Sequence, residues 1–199
     1  MFLLPQASAN VLKQSQFFDR AFPVKAFCAA AAISLVLAVT ASAQAQPVMH
    51  RTAVAAGEVT PTNGSFSIRF PVAFNDIELR ADDPSAPTLV VRMLSGVNGE
   101  GLRFSATETP LPEQPLPIDG FMEAARKRPG ASVSDIDHEQ KDGIEIQSFS
   151  LTDAKGGSYF RLIRAKATQY MLVVQFPEAS RQQATGIKDD FFGSFKMKR

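Results

Sequence analysis

Gln169-Tyr170-Met171-Leu172-Val173-Val174-Gln175-Phe176 is the stretch on which the architecture turns. Successive side chains of a strand point to opposite faces, and here Met171, Leu172, Val173 and Val174 are all apolar. Such a strand is dry on both sides, which places it in the middle of a sheet with material covering each face. Pro177 ends it. After the break, Ala184, Ile187 and Phe191 recur at helical spacing, so a helix is expected from about Glu178 to Phe191 with those three residues on its buried stripe. Phe195 then anchors the end of the chain on the sheet.

Upstream, the pattern is a series of strands. Ser158–Arg164 follows the turn at Asp153–Gly157, and Ile144–Leu151 is joined to Ser132–Gln140 through Lys141-Asp142-Gly143, a strong hairpin signal. Before them, Asp119 is placed to cap a short helix running from Gly120 to about Arg128, closed by Pro129-Gly130. Pro110, Pro112, Pro115 and Pro117 mark a stiff crossing. Thr88–Leu94 and Leu102–Thr107 read as two strands, with a short one at Ile77–Leu79 and a turn-rich connection through Asp82-Asp83-Pro84 and Pro87. Phe66, Ile68 and Phe70 alternate with polar residues in Gly64-Ser65-Phe66-Ser67-Ile68-Arg69-Phe70-Pro71, a half-buried strand stopped by proline. Strands and helices that are segregated along the chain indicate an α+β domain with a mostly antiparallel sheet.

The first residues are of a different kind. Lys25 precedes the uncharged apolar run Ala26–Val39, and Thr40-Ala41-Ser42-Ala43-Gln44-Ala45-Gln46-Pro47 follows. A positive residue, an apolar core and a small-x-small site make the layout of a secretion signal. A permanent anchor needs about 20 apolar residues, and this run is shorter and rich in alanine. Cleavage is expected between Ala43 and Gln44, with the bond after Ala45 second. The region before Lys25 is long for such a signal, which raises an alternative translation start, although no Met lies between Met1 and Met49. Cys28 sits ahead of the apolar core, where a lipoprotein's acylated cysteine does not belong. The organisation read from sequence is thus a signal over 1–43, a flexible lead-in over 44–63 rich in Ala, Thr, Pro and Gly, and a single domain over 64–199.

Removal of 43 residues takes away the only cysteine, three of the 21 basic residues and one of the 20 acidic ones. The mature chain then has no disulfide or thiolate chemistry and a net charge near zero. It is long enough to bury about 68–70 % of its unfolded surface without covalent staples. Balanced charge gives nucleic acid no concentrated basic surface. Arg126-Lys127-Arg128 and Lys196-Met197-Lys198-Arg199 are short basic clusters at a helix end and the chain end, where solvent accounts for them.

Candidate chemistry is sparse. His138, in Asp135-Ile136-Asp137-His138-Glu139, shares a strand face with Ile136 and Gln140, while Asp135, Asp137 and Glu139 point the other way. The histidine does not converge with its neighbouring acids. A weak divalent-cation site at Asp135 and Asp137, with His138 nearby, is the one metal candidate. His50 falls in the lead-in, where a site would lack a rigid support. Gly99-Glu100-Gly101 starts like a dinucleotide loop, but Phe104 replaces its third glycine. Asp82-Asp83 and Asp189-Asp190 are the adjacent acidic pairs. No cofactor and no catalytic residue is expected.

Three stretches together resemble the PsbP/Mog1-like family, in its small exported bacterial members. These are Gly64–Pro71, Gly143-Ile144-Glu145-Ile146-Gln147-Ser148-Phe149 with Arg161 and Tyr170-Met171-Leu172, and Phe191-Phe192-Gly193-Ser194-Phe195-Lys196. Ile146 stands where the family's middle motif has a second glycine. The resemblance implies an α/β/α sandwich, a mostly antiparallel central sheet with helices on both faces. It also implies a non-catalytic accessory or binding role. Joined to the signal, it leads to an exported, periplasmic or secreted module that binds another envelope protein, with contact to a membrane surface as a further expectation. The competing reading is a small-ligand binder or enzyme with a pocket between sheet and helix.

Overall fold

The computed structural model describes residues 45–81, 89–111, 118–127 and 129–198. The expected signal over 1–43, Gln44, the Asp82-Asp83 pair and the crossing at Pro112, Pro115 and Pro117 lie outside them. Twelve strands are described: β1 (Ala45–Val54), β2 (Gly57–Val59), β3 (Phe66–Phe70), β4 (Phe74–Ala81), β5 (Leu89–Val97), β6 (Arg103–Pro110), β7 (Ser132–Val133), β8 (Asp137–Lys141), β9 (Ile144–Asp153), β10 (Gly156–Ala165), β11 (Thr168–Pro177) and β12 (Lys196–Met197). Two α-helices join them, α1 (Ile118–Arg126) and α2 (Arg181–Gly193), the second entered through a 3-10 turn at Glu178–Ser180. The large sheet runs β1-β4-β5-β6-β11-β10-β9-β7, with β8 also on β9, and every pairing is antiparallel. A small sheet, β12-β3-β2, packs beside it.

The doubly dry strand is central, as its sequence requires. β11 lies between β6 and β10. Leu172 and Val174, with no exposed surface, face one core together with Phe66, Ile68, Phe70, Phe104, Ala184 and Phe191. Met171 and Val173 face the other, where Ile118 and Met122 of α1 pack with Phe149, Phe160 and Leu162. Each such aliphatic or aromatic side chain fully withdrawn from water contributes ~1.5–3 kcal/mol. Phe70 and Phe104 both meet Phe191 edge-on, at centroid distances of 5.5 and 5.3 Å, a favoured aromatic geometry.

The expected α/β/α sandwich is not what forms. The domain is a β-rich fold, dominated by antiparallel strands. Among the described residues, neither face carries a layer of helices: one is covered by the three-stranded sheet and α2, the other by the nine-residue α1 over the β9–β11 half. The physical reason lies in a second sheet, built from the expected strand over Phe66–Phe70 and from two short strands, β2 and β12, that the sequence did not announce. β2, β3 and β12 fill the space a helical layer would occupy, and they do so through Val59, Phe66, Ile68 and Phe70. The lead-in also departs from expectation. Residues 45–54 form the edge strand β1, registered on β4 from Ala45↔Ala81 to Val54↔Phe74, with irregularities on either side of Arg51. Residues 57–59 form β2.

Local chemistry explains the turns. β8 and β9 are joined by Asp142 and Gly143, with φ of 52° and 74°, the paired positive dihedrals of a type I′ hairpin turn. The single strand expected over 132–140 is broken into β7 and β8. At the β9–β10 turn, Asp153 Oδ1 accepts the N–H groups of Lys155 and Gly156. Gly156 has φ of 146°, and a Cβ there would stand 2.1 Å from the Phe176 carbonyl oxygen.

Candidate functional site

The metal candidate does not assemble. Asp135, Asp137 and His138 are all exposed at the sheet edge. His138 lies opposite Gln147 in register, and its Nε2 is 3.4 Å from Glu145 Oε1, not from either aspartate. Among the described residues, no group of three or more His, Cys, Asp or Glu is placed to hold a metal ion.

The structure instead brings together a row of charged groups inside the domain. Register aligns Glu78 of β4 with Arg92 of β5, Arg92 with Glu108 of β6, and Glu108 with Tyr170 of β11. Asp76, Glu78 and Glu108 are buried, with 1 %, 1 % and 6 % exposure. Arg92 lies between two of them, Nη1 at 3.1 Å from Glu108 Oε1 and Nε at 3.5 Å from Glu78 Oε2. Glu78 Oε1 accepts from Arg80 Nε at 2.6 Å. That hydrogen bond is the main reason the Glu78 carboxyl is held below the usual glutamate range. Burial pushes the other way, and the charges of Arg80 and Arg92 reinforce the lowering.

Strand β1 and the segment after β2 close this row. Arg51 donates from Nε and Nη2 to Asp76 Oδ2 at 2.8 and 2.6 Å and from Nη2 to the Thr60 carbonyl at 2.6 Å. Thr62 gives Asp76 both its N–H and its hydroxyl. Ser65 donates its N–H to Glu108 Oε2 and shares a 2.7 Å hydrogen bond with the Tyr170 hydroxyl. His50, expected to float in a flexible segment, is half-buried, with Nε2 3.8 Å from Glu78 Oε2. His50 Nε2, Glu78 Oε2 and Arg92 Nε are buried atoms without a hydrogen-bond partner, gathered at one point. The other acids are matched to arginines, hydroxyls and backbone N–H groups, as buried charges require. The chemistry of this row is therefore cohesion: it ties β1, β4, β5, β6 and the 60–65 segment into one unit.

Sequence reasoning missed this row because Asp76-Ile77-Glu78-Leu79-Arg80 alternates like a strand with a solvated polar face. A usable signal was present: Glu78, Arg92 and Glu108 alternate in sign on three strands that follow one another along the chain.

Two surfaces remain open. A groove of about 880 Å³ runs between the β2–β3 hairpin and the end of α2, lined by Glu58, Arg69, Pro71, Ile187, Asp190 and Lys196 among others. It takes in the Asp189-Asp190 pair, whose first member is held by Lys188 at 2.6 Å. On the large sheet, a second row runs from the β1 edge inward: Met49, Ile77, Met93, Thr107 and Met171 stand opposite one another in register. Met49 is 49 % exposed and Met93 half-buried, whereas Ile77, Thr107 and Met171 are buried, at 9 %, 6 % and 8 %. Val97, 50 % exposed, lies farther along the same face of β5.

No protein-family model matches this chain, and no curated protein matches it. Among the described residues, no helix is long and apolar enough to cross a membrane.

Proposed function

We propose that this is an exported, non-enzymatic binding module of the cell envelope, and that it meets its partner through the β1–β5 half of the sheet face that carries Met49, Met93 and Val97. One observation carries the reading: Met49 and Val97 on this half are 49 % and 50 % exposed, whereas the β9–β11 half is packed under α1. Methionines adapt their shape to a partner better than branched residues do, and they are common at such surfaces. The resemblance of Gly64–Pro71 and Phe191–Lys196 to an accessory-protein family supports a non-catalytic role, and the layout of residues 25–47 supports export. The buried charged row serves this reading by making the presenting edge stiff.

Photo-activatable residues introduced at Met49, Val97 and His138 in the producing cell test it. Positions 49 and 97 should yield the same discrete adduct and position 138 none, and Met49→Glu should abolish the adduct at 97. Equal labelling at all three positions, or none at 49 and 97, retires the reading.

A further inference from the structure

The two edges of the large sheet are finished differently. At one end β8 carries Asp137, His138, Glu139 and Lys141, all exposed, the charged trim that keeps an edge from pairing with another chain. At the other end β1 has no such trim. Among the described residues, nothing pairs with its outer side. Its two titratable residues are drawn inward, Arg51 to Asp76 and the Thr60 carbonyl, and His50 to Glu78. What it shows to solvent is Val48 at 41 % and Met49 at 49 %, two of the three large apolar side chains exposed among the described residues.

Register puts these two neighbours on opposite faces. Val48 stands opposite Glu78 and Met49 opposite Ile77, and residues opposite one another across a strand pair share a face. A partner lying flat on the Ile77 face covers Met49 and leaves Val48 wet. A strand laid beside β1 covers both, because its own side chains alternate between the two faces. We propose that the partner binds by strand addition. It lays an extended, uncharged segment against the regular part of β1, Ala45–Met49, with apolar residues at two consecutive positions to meet Val48 and Met49. Main-chain hydrogen bonds hold such a segment and the side-chain contacts select it. This deepens the docking reading above and rests on it.

The same edge argues against a second copy of this chain as the occupant. The β1–β4 register is regular from Ala45 to Met49, then shifts between Met49 and Arg51 and again before Val54. Two copies paired antiparallel about a twofold axis set the central residue opposite its own mate. A centre at Val48 or Met49 lays the irregular stretch of each copy against the regular stretch of the other. A centre at Pro47 puts two residues without N–H groups face to face. A centre nearer Ala45 leaves too short a ladder. A foreign strand meets none of these obstacles, since it needs only the regular stretch.

The test adds a photo-activatable residue at Val48 to those at Met49 and Val97, in the full chain in its producing cell. Position 48 should give an adduct of the same mass as position 49, and peptide mapping should place both cross-links within one short segment of one partner. Val48→Lys puts a charge on the face away from Met49. It should cut the adduct at 49 about 10-fold, as a lysine on an edge strand blocks pairing, whereas Val48→Thr, β-branched and uncharged, should keep it. The label at 48 decides the matter even if the lysine variant folds poorly. Adducts at 49 and 97 with none at 48 overturn strand addition and leave the docking face standing. An adduct at 48 with twice the mass of the chain overturns the foreign strand in favour of a second copy. No adduct at 48, 49 or 97 retires the docking reading together with the proposal.

Discussion

At the scale of single residues, the decisive feature is that Arg92 serves two buried carboxylates at once. Arg92→Met should cost about 3–5 kcal/mol in urea unfolding, because it leaves Glu108 as interior charge without its arginine and Glu78 with Arg80 alone of its two. Adding Glu108→Gln to that variant should return part of the loss, and a cycle that is additive within error would show the two residues to be uncoupled. The sign of the pH effect follows from Glu78. Its folded carboxyl is held below the ordinary range by Arg80, against its burial. Its contribution is therefore complete above the unfolded value of about 4.3 and disappears as the pH falls below it toward the folded value. Wild-type protein should lose more stability than Glu78→Gln between neutral and strongly acidic solution. Parallel losses in the two proteins would contradict the assignment. Gly156 gives a backbone counterpart: Gly156→Ala drives a Cβ to within 2.1 Å of a carbonyl at a φ of 146°. It should destabilise by at least ~1–3 kcal/mol, read as a lowered denaturant midpoint.

At the scale of elements, β1 is the strand whose stability is most conditional. Beyond its backbone pairing it is fastened by Arg51, whose side chain is 40 % exposed and holds the 1 %-exposed Asp76. Arg51→Ala should therefore loosen β1 by about 1–3 kcal/mol. Amide exchange over residues 46–54 should quicken while β10 and β11 keep their protection. The same strand shows what a sequence does and does not disclose. β11 was legible because four consecutive apolar residues have only one arrangement in a sheet. The β8–β9 hairpin was legible from Asp142-Gly143, and α2 from Ala184 and Phe191, both buried as expected. β1 was not legible: Ala, Gln, Pro, Thr and Val look like a linker, and what orders them is a carboxylate 25 positions away. The α/β/α reading failed for a related reason. The sandwich was what the family resemblance implied, whereas Phe66, Ile68 and Phe70, legible as a strand, belong to a second sheet that needs Val59 and Met197 from distant parts of the chain. His138 has Glu145 of the neighbouring strand as its acidic neighbour. The true charged row depends on register between strands, which single-strand periodicity does not contain.

At the scale of the whole molecule, two cores lie on opposite faces of one antiparallel sheet, and a buried charged row joins its first strands. The edge strand that completes this sheet starts two residues beyond the bond at which the sequence leads one to expect cleavage. The protein isolated from its producing cell should have its N-terminus at Gln44, read by N-terminal peptide mass. The claim on which all of this rests is that residues 45–54 are a docked strand and not a lead-in. Hydrogen exchange of the mature protein, read residue by residue, tests it most directly. The account predicts that the β4-facing amides between Gln46 and Val54 exchange far more slowly than in an unstructured peptide. Exchange of that whole stretch at unprotected rates, with β10 and β11 protected, would contradict it.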